Sequence, residues 1–180
     1  SATPTKLSGT LVTGGDVSDF QLTPDGTRAV FLADLLVNDI PELFSVPVDG
    51  SAPPLQLDPV DRRCTLYRIS PDGTFVVFST GDGFSEERLY RAPLDASQAP
   101  IYLARSGPPG FVSYTYFVDL RISSDNLQAT CTAVELFFDR GFCGEEYANL
   151  VGVELDTHLF HVLNVVEYYC YVPPTALEGE

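Results

Sequence analysis

The sequence predicts an all-β protein built from about three copies of a four-stranded antiparallel unit. Three observations indicate this fold class. Proline and glycine, 14 of each in 180 residues, interrupt short apolar stretches, at the spacing of about ten residues that is typical of strands and turns. Apolar residues at helical spacing are hard to find. A twelve-residue pattern also occurs twice, which indicates an internal repeat.

The repeated pattern is the most specific signal in the sequence. Residues 20–31 read FQLTPDGTRAVF and residues 67–78 read YRISPDGTFVVF, and the two align without a gap. Two further strands are expected after each copy. A weaker third copy has the turn SSDN at residues 123–126, where Asn replaces glycine and can adopt the same left-handed backbone conformation. The repeats are expected to span residues 17–62, 63–110 and 111–163.

The same three residue types form the hairpin turn in each of the first two copies. They are Pro24, Asp25 and Gly26 in the first, and Pro71, Asp72 and Gly73 in the second. Proline presets the backbone torsion φ at the first central position of a turn, and aspartate accepts hydrogen bonds from nearby amides. Glycine supplies the positive φ that returns the chain as a hairpin. We therefore expect equivalent turns at both positions.

A second motif follows each hairpin, LFSVPV at residues 43–48 and LYRAPL at residues 89–94. Together, the two motifs resemble the repeat of TolB-type β-propellers, strongly over residues 17–104 and more weakly to residue 163. The resemblance implies a propeller fold and a secreted or periplasmic setting, but no particular activity. Closed propellers typically have about four to eight blades. The expected fold is therefore a partial, open propeller of about three blades with extra strands at its ends.

The extra strands lead to the main functional hypothesis. Residues 1–16 are expected to form an arm with a lone strand, and residues 164–180 a truncated fourth repeat with another unpaired strand and a tail. Three blades would leave apolar faces at both ends of the array, which soluble monomers rarely expose. We therefore expect an extracellular structural protein that assembles with copies of itself, by strand exchange, into a filament or a closed ring. The expected assembly strand contains Leu7, Thr10, Leu11, Val12 and Thr13.

A secreted TolB-like binding module is the alternative function. Aromatic residues are concentrated in the second half of the chain, as in residues 111–117 (FVSYTYF) and 168–171 (YYCY). Such rows usually belong to the core, and the alternative is a protein contact surface. They could also stack on sugars, so a glycan stays open as the ligand. Enzymatic activity is not expected, because the sequence has neither a G-x-S-x-G elbow nor an H-E-x-x-H motif. No catalytic residue, cofactor or metal is predicted.

The formal net charge of −15, from 25 acidic and 10 basic residues, limits the partners. Phosphate binding needs a basic surface, so nucleic acid is not expected as a partner. No apolar run has the length of a membrane-spanning helix, and membrane insertion is not expected. Glu86 and Glu87 are interpreted as solvated loop charges. His158 and His161 lie three residues apart on a predicted strand, so they point to opposite faces and cannot share a metal ion.

The four cysteines are Cys64, Cys131, Cys143 and Cys170. Their even number and the absence of a C-x-x-C spacing favour two disulfides. Disulfides imply an oxidising compartment, and the chain begins without methionine, as a mature secreted protein does. We expect an extracellular location, with the periplasm as the alternative. Cys131–Cys143 is the simplest pairing and would leave Cys64 for Cys170, although the sequence leaves three pairings open.

Overall fold

The structure is a computed structural model that describes residues 4–58, 63–81, 87–106, 114–139, 143–155 and 160–170. These residues form twelve strands in three four-stranded antiparallel sheets. The predicted all-β architecture, an open array of about three propeller-like blades, is confirmed. Within these ranges, no helix is long and apolar enough to cross a membrane.

Each sheet consists of four consecutive strands, and each strand pairs with its neighbours in sequence. The first sheet contains β1 (Val17–Leu22), β2 (Arg28–Ala33), β3 (Glu42–Pro47) and β4 (Leu55–Gln56). The second contains β5 (Arg63–Ile69), β6 (Phe75–Gly81), β7 (Arg88–Pro93) and β8 (Ile101–Arg105). The third contains β9 (Tyr114–Ile122), β10 (Gln128–Asp139), β11 (Cys143–Glu154) and β12 (Phe160–Cys170).

The first hairpin turn has the geometry that its sequence predicts. Gly26 has a φ of 70°, in the left-handed region. Oδ1 of Asp25 accepts hydrogen bonds from the Thr23 hydroxyl at 2.6 Å and from the Thr27 amide at 3.1 Å. The aspartate therefore satisfies polar groups that the tight turn would otherwise leave without partners.

The other two turns repeat this arrangement. Gly73 has a φ of 72°, and Oδ1 of Asp72 accepts hydrogen bonds from the Ser70 hydroxyl at 2.6 Å and the Thr74 amide at 3.0 Å. Asn126 occupies the glycine position of the third turn with a φ of 62°. The expectation that Asn preserves this turn is confirmed.

The turns of neighbouring sheets also contact one another. The Asp72 amide donates a hydrogen bond to Oδ1 of Asn126 at 3.3 Å. A Cβ atom added to Gly73 would lie 3.2 Å from Cδ of Pro24. Glycine is therefore required at position 73 both by its positive φ and by the approach of the preceding turn.

Two apolar cores separate the three sheets, and the second sheet contributes to both. The core between the first and second sheets includes Val30, Leu32, Leu43, Tyr67, Val76 and Phe78. The core between the second and third sheets includes Val77, Leu89, Phe117, Leu120, Cys131 and Val151. Alternation along the strands of the second sheet therefore buries both of its faces.

Polar contacts cross both cores. The Tyr67 hydroxyl donates a hydrogen bond to the Val30 carbonyl at 3.4 Å, joining the second sheet to the first. Arg91 lies with its guanidinium 4.1 Å from the centre of the Phe75 ring, and its Nη1 donates to the Leu155 carbonyl at 2.9 Å. These contacts fix the position of each sheet relative to the next.

The N-terminal arm, residues 4–16, is not a strand. Gly9 and Gly14 have φ values of 70° and 86°, which interrupt an extended conformation. Leu7 and Leu11 pack on the outer face of the first sheet, which faces away from the second sheet. The residues they contact form a cluster of Ala29, Phe31, Ala33, Phe44 and Val46. The predicted strand over Leu7, Thr10, Leu11, Val12 and Thr13 is not formed in this single chain, in which the arm covers its own sheet, and its pairing with another copy stays a prediction.

The second predicted terminal strand is also wrong as an unpaired element. Residues 164–170 belong to β12, which pairs with β11 as far as the register pair Glu145 and Cys170. A register shift between Ala148 and Leu150 accommodates extra residues in β12 and lets the pairing continue. These residues therefore extend the third sheet, while residues 171–180 of the expected tail lie outside the described ranges.

The predicted disulfides of Cys64 and Cys131 are not formed. Both are buried free thiols, and they lie in different cores, on opposite sides of the second sheet. Cys131 pairs in register with Val151, eight residues along β11 from Cys143, or about 26 Å at the rise of an extended strand. A disulfide allows at most about 7 Å between Cα atoms. The oxidation state of Cys143 and Cys170 stays a prediction.

We expect the arm to stabilise its own sheet. Replacing Leu7 and Leu11 together with serine should lower the free energy of unfolding by about 2 kcal/mol, because two partly buried side chains lose apolar contact. Urea unfolding measures the difference. The control is Thr10→Ser, at an exposed position of the same arm, which should change stability by less than about 0.5 kcal/mol. A double variant with unchanged stability would contradict the packing of the arm.

We expect Cys64 and Cys131 to react with iodoacetamide only when the protein unfolds. Burial raises the pKa of the Cys64 thiol well above its usual range and that of Cys131 to about 12, so neither is a nucleophilic thiolate in the native state. Peptide mapping by mass spectrometry, without reductant, should find both cysteines alkylated in guanidinium and unmodified in buffer. A disulfide-linked peptide containing either residue would contradict this assignment.

Candidate interaction surface

An apolar strip on β1 is left exposed on the outer face of the first sheet. Its residues are Val17, 42% exposed, Phe20, 67% exposed, and Leu22, 54% exposed. Their register partners on β2 belong to the cluster beneath the arm, which places the three side chains on the outer face; these partners are Ala33, Phe31 and Ala29. The arm covers β2 and β3 and leaves β1 open. We call these three residues the β1 strip.

The same positions are covered in the second sheet. The repeat alignment matches the β1 strip with Cys64, Tyr67 and Ile69 of β5, and both strands have a register shift directly after their first aligned residue. Cys64 and Tyr67 are buried against the first sheet, and Ile69 packs on the same core. The β1 strip therefore corresponds to a surface that contacts a neighbouring blade.

The opposite end of the array has a face of mixed polarity. Thr130 and Thr132 of β10 stand at the repeat positions of Val30 and Leu32, and Gln128 precedes them. Gln128 is exposed and the two threonines are partly exposed. Val118 pairs in register with Thr132, and Val134 lies two residues further along β10, so both valines share this face. The outer face of the third sheet therefore combines polar and apolar side chains.

Glu87 is a structural link between the second and third sheets. Its Oε1 accepts a hydrogen bond from the Thr65 hydroxyl at 2.7 Å, and its Oε2 accepts one from the Phe117 amide at 2.8 Å. Burial raises its pKa, although these hydrogen bonds oppose the shift. The interpretation of Glu87 as a solvated loop charge is therefore wrong, and Glu86 lies outside the described residues.

Asp58, directly after β4, is a second buried acid that sequence reasoning missed. Its Oδ1 accepts a hydrogen bond from the Leu43 amide at 3.0 Å, while its Oδ2 is buried without a partner. Burial raises the pKa of this carboxyl to about 7, and the nearby Glu42 charge contributes in the same direction. The chain around Asp58 has no motif that could have signalled this environment.

The two histidines, which were not expected to share a metal ion, belong to the third sheet and the loop before its last strand. His161 pairs in register with Gly152 on β11, whereas His158 lies outside the described part of the chain. Among the residues whose positions are described, no group of three His, Cys, Asp or Glu side chains could hold a metal ion.

Solved structures of β-propeller proteins are similar to this chain. A puromycin hydrolase mutant is 20% identical over 91% of the chain, with a TM-score of 0.59. Oligogalacturonate lyase from Vibrio parahaemolyticus is 13% identical over 79% of the chain, with a TM-score of 0.55. TolB from Acinetobacter baumannii is 15% identical over 81% of the chain, with a TM-score of 0.46. The two likenesses with TM-scores above 0.5, to the hydrolase and the lyase, show that the chain has a β-propeller-like fold.

The chain spans only a part of each of these structures. It covers 25% of the puromycin hydrolase chain, 38% of the lyase and 31% of TolB. No family model and no curated protein matches the sequence. The likeness therefore shows the fold, and it does not show membership of the TolB family or an activity.

We expect Asp58 to make stability fall as the pH rises. Its pKa is about 7 in the folded chain and near 3.8 when solvated, so the folded state binds more protons between these values and stability declines through this range. Relative to the wild type, Asp58→Asn should gain on the order of 1–3 kcal/mol between pH 5 and pH 8. Urea unfolding at several pH values measures this gain.

The matched control for this experiment is Asp49→Asn. Asp49 is exposed, and hydrogen bonds from Ser51 lower the pKa of its carboxyl, so its removal should not relieve a loss of stability above pH 5. Equal pH slopes for wild type and Asp58→Asn would show that Asp58 is ionised at little cost and would contradict the assignment.

Proposed function

We propose that this chain is a propeller-type binding module that recognises a protein ligand through the β1 strip. One observation carries the proposal: Val17, Phe20 and Leu22 are exposed at positions whose counterparts in the next repeat pack between sheets, two of them buried and one partly buried. Exposure of an apolar strip to water is unfavourable, and contact with another apolar surface lowers the free energy. Aromatic and aliphatic side chains of this kind form the centres of protein interfaces.

A protein ligand is favoured over a glycan by the composition of the strip. Two of its three residues, Val17 and Leu22, are aliphatic and offer no ring on which a sugar could stack. Of the aromatic residues that left a glycan open as the ligand, Phe117 is buried in the core between the second and third sheets, and Phe111 and Tyr171 lie outside the described ranges. Phe20 alone provides a ring, and it stands between two aliphatic side chains.

The contacts of the N-terminal arm give no support to self-assembly by strand donation. The arm that was expected to pair with another copy contacts the first sheet of its own chain through Leu7 and Leu11. Association of copies into a filament or ring stays an untested prediction, and it is not needed to cover the outer face above β2 and β3.

The similar structures bear on catalysis, and the cysteines bear on the location of the protein. Puromycin hydrolase and oligogalacturonate lyase are enzymes by name, so the likeness gives no support to the expectation that this chain lacks an activity. The secreted or periplasmic setting stays a prediction. The free thiols of Cys64 and Cys131 remove the part of that prediction that depended on two disulfides.

Selection from a displayed library of random peptides tests the proposal. Peptides enriched on the wild-type chain should bind the double variant Phe20→Ser/Leu22→Ser at least about tenfold more weakly, because the apolar contact is removed. Leu36→Ser is the matched control, since Leu36 is 53% exposed and lies in the loop after β2, outside the strip. Fluorescence anisotropy with labelled peptides measures the affinities.

The outcome depends on the comparison between these variants. All three substitutions are at exposed positions, and each should change stability by less than about 0.5 kcal/mol. Equal binding by the wild type and the double variant, or an equal loss in Leu36→Ser, would assign binding to another surface. Failure to enrich any peptide on the wild type would contradict peptide recognition by this module.

A further inference from the structure

The β1 strip lies beside a free sheet edge. In the described residues β1 pairs only with β2. The Thr23 amide donates a hydrogen bond to the Arg28 carbonyl at 3.0 Å, which makes these residues a hydrogen-bonded pair. Antiparallel ladders alternate, so the N–H and C=O groups of Phe20 and Leu22 point away from β2. The two most exposed residues of the strip therefore also present their backbone groups at the edge.

Asp19 lies beside the first of these edge positions, and its register partner Leu32 places its side chain on the face toward the second sheet. Its Oδ1 accepts a hydrogen bond from the Phe20 amide at 2.8 Å, as expected for an N–H that faces away from β2. A charged side chain at an open edge discourages pairing with other strands. Here the carboxylate also makes the edge selective, because an incoming chain must offer a carbonyl to the amide and a positive charge to Asp19.

We propose that the ligand of the β1 strip is an extended peptide of alternating apolar and basic residues, which adds a strand to the free edge of β1. This inference rests on the proposed binding function and specifies its mode. Successive side chains of a strand point to opposite faces. Apolar residues of the peptide would lie beside Phe20 and Leu22 on the outer face, and Lys or Arg residues would lie on the face of Asp19.

The width of the open surface favours a single strand. The arm occupies the outer face above β2 and β3 through Leu7 and Leu11, so a complete blade stacked on this face would collide with it. An extended peptide needs only the edge and the strip. Main-chain hydrogen bonds along the edge then supply affinity, and the alternating side chains supply specificity.

Charge favours a basic peptide over a second copy of this chain. The chain has a formal net charge of −15, so two copies repel each other and a basic peptide is attracted. A second copy that paired through its own β1 would also bring its Asp19 to the same edge.

The test uses an eight-residue peptide of alternating leucine and lysine, titrated onto the full chain at about 0.15 M salt, where surface charges are screened beyond about 8 Å. Its controls are a scrambled peptide of the same composition and an alternating leucine and glutamate peptide. A fourth peptide is N-methylated at alternate residues, which removes the donors from one edge of the strand. N-methylation of the edge that faces β1 should weaken binding at least about tenfold, because backbone hydrogen bonds are lost.

Hydrogen exchange of the Phe20 and Leu22 amides provides a direct readout of strand addition. Both amides should exchange more slowly when the leucine–lysine peptide is bound, and Phe20→Ser/Leu22→Ser should lose binding while Leu36→Ser retains it. Strip-dependent binding without amide protection, and without an effect of N-methylation, would overturn strand addition and leave the binding function intact.

The remaining outcomes also decide the proposal. Equal binding of the scrambled peptide or of the double variant would indicate attraction by charge alone and overturn it. A dimer in sedimentation experiments that Phe20→Ser/Leu22→Ser abolishes would identify a second copy as the occupant and overturn it. Failure of the leucine–lysine peptide, when displayed peptides do bind the strip, would overturn the proposed ligand pattern alone.

Discussion

The burial of both faces of the second sheet is the constraint on which the rest of the structure depends. This sheet supplies Val76 and Phe78 to one core and Val77 and Leu89 to the other, as expected for strands with apolar residues on both faces. Its polar groups also contact both neighbours. The Tyr67 hydroxyl forms a hydrogen bond with the first sheet, while Arg91 and Glu87 form hydrogen bonds with the third. The outer sheets each need only one apolar face to belong to the array.

Each end sheet packs against one neighbouring sheet, so the outer faces of the two end sheets can differ in composition. The first sheet divides its outer face between the arm and the β1 strip, whereas the third sheet presents Thr130 and Thr132. The proposed apolar binding surface lies at the first-sheet end of the array, beside an open strand edge. The proposed recognition of a basic, extended peptide follows from the coincidence of that strip, that edge and the carboxylate of Asp19.

Local sequence predicted the features that depend on local chemistry. The turns at Gly26, Gly73 and Asn126 require residues that tolerate positive φ, and the sequence displays those residues directly. The predicted N-terminal strand is not formed in this chain, because an apolar pattern does not reveal which sheet the segment will cover. Gly9 and Gly14 are the residues that could have signalled a break in this strand. The cysteine pairing and the environments of Asp58 and Glu87 depend on contacts between distant segments, which no local pattern specifies.

The order of the sheets has an energetic consequence for the molecule as a whole. Each sheet is formed by consecutive strands, and the two cores join only the first sheet to the second and the second to the third. Such a structure behaves as a linear series of units with nearest-neighbour coupling. The third sheet can therefore open without exposing the core around Tyr67, whereas loss of the second sheet uncouples both of its neighbours. Cooperativity in this protein is a property of the two interfaces, and the middle unit controls both.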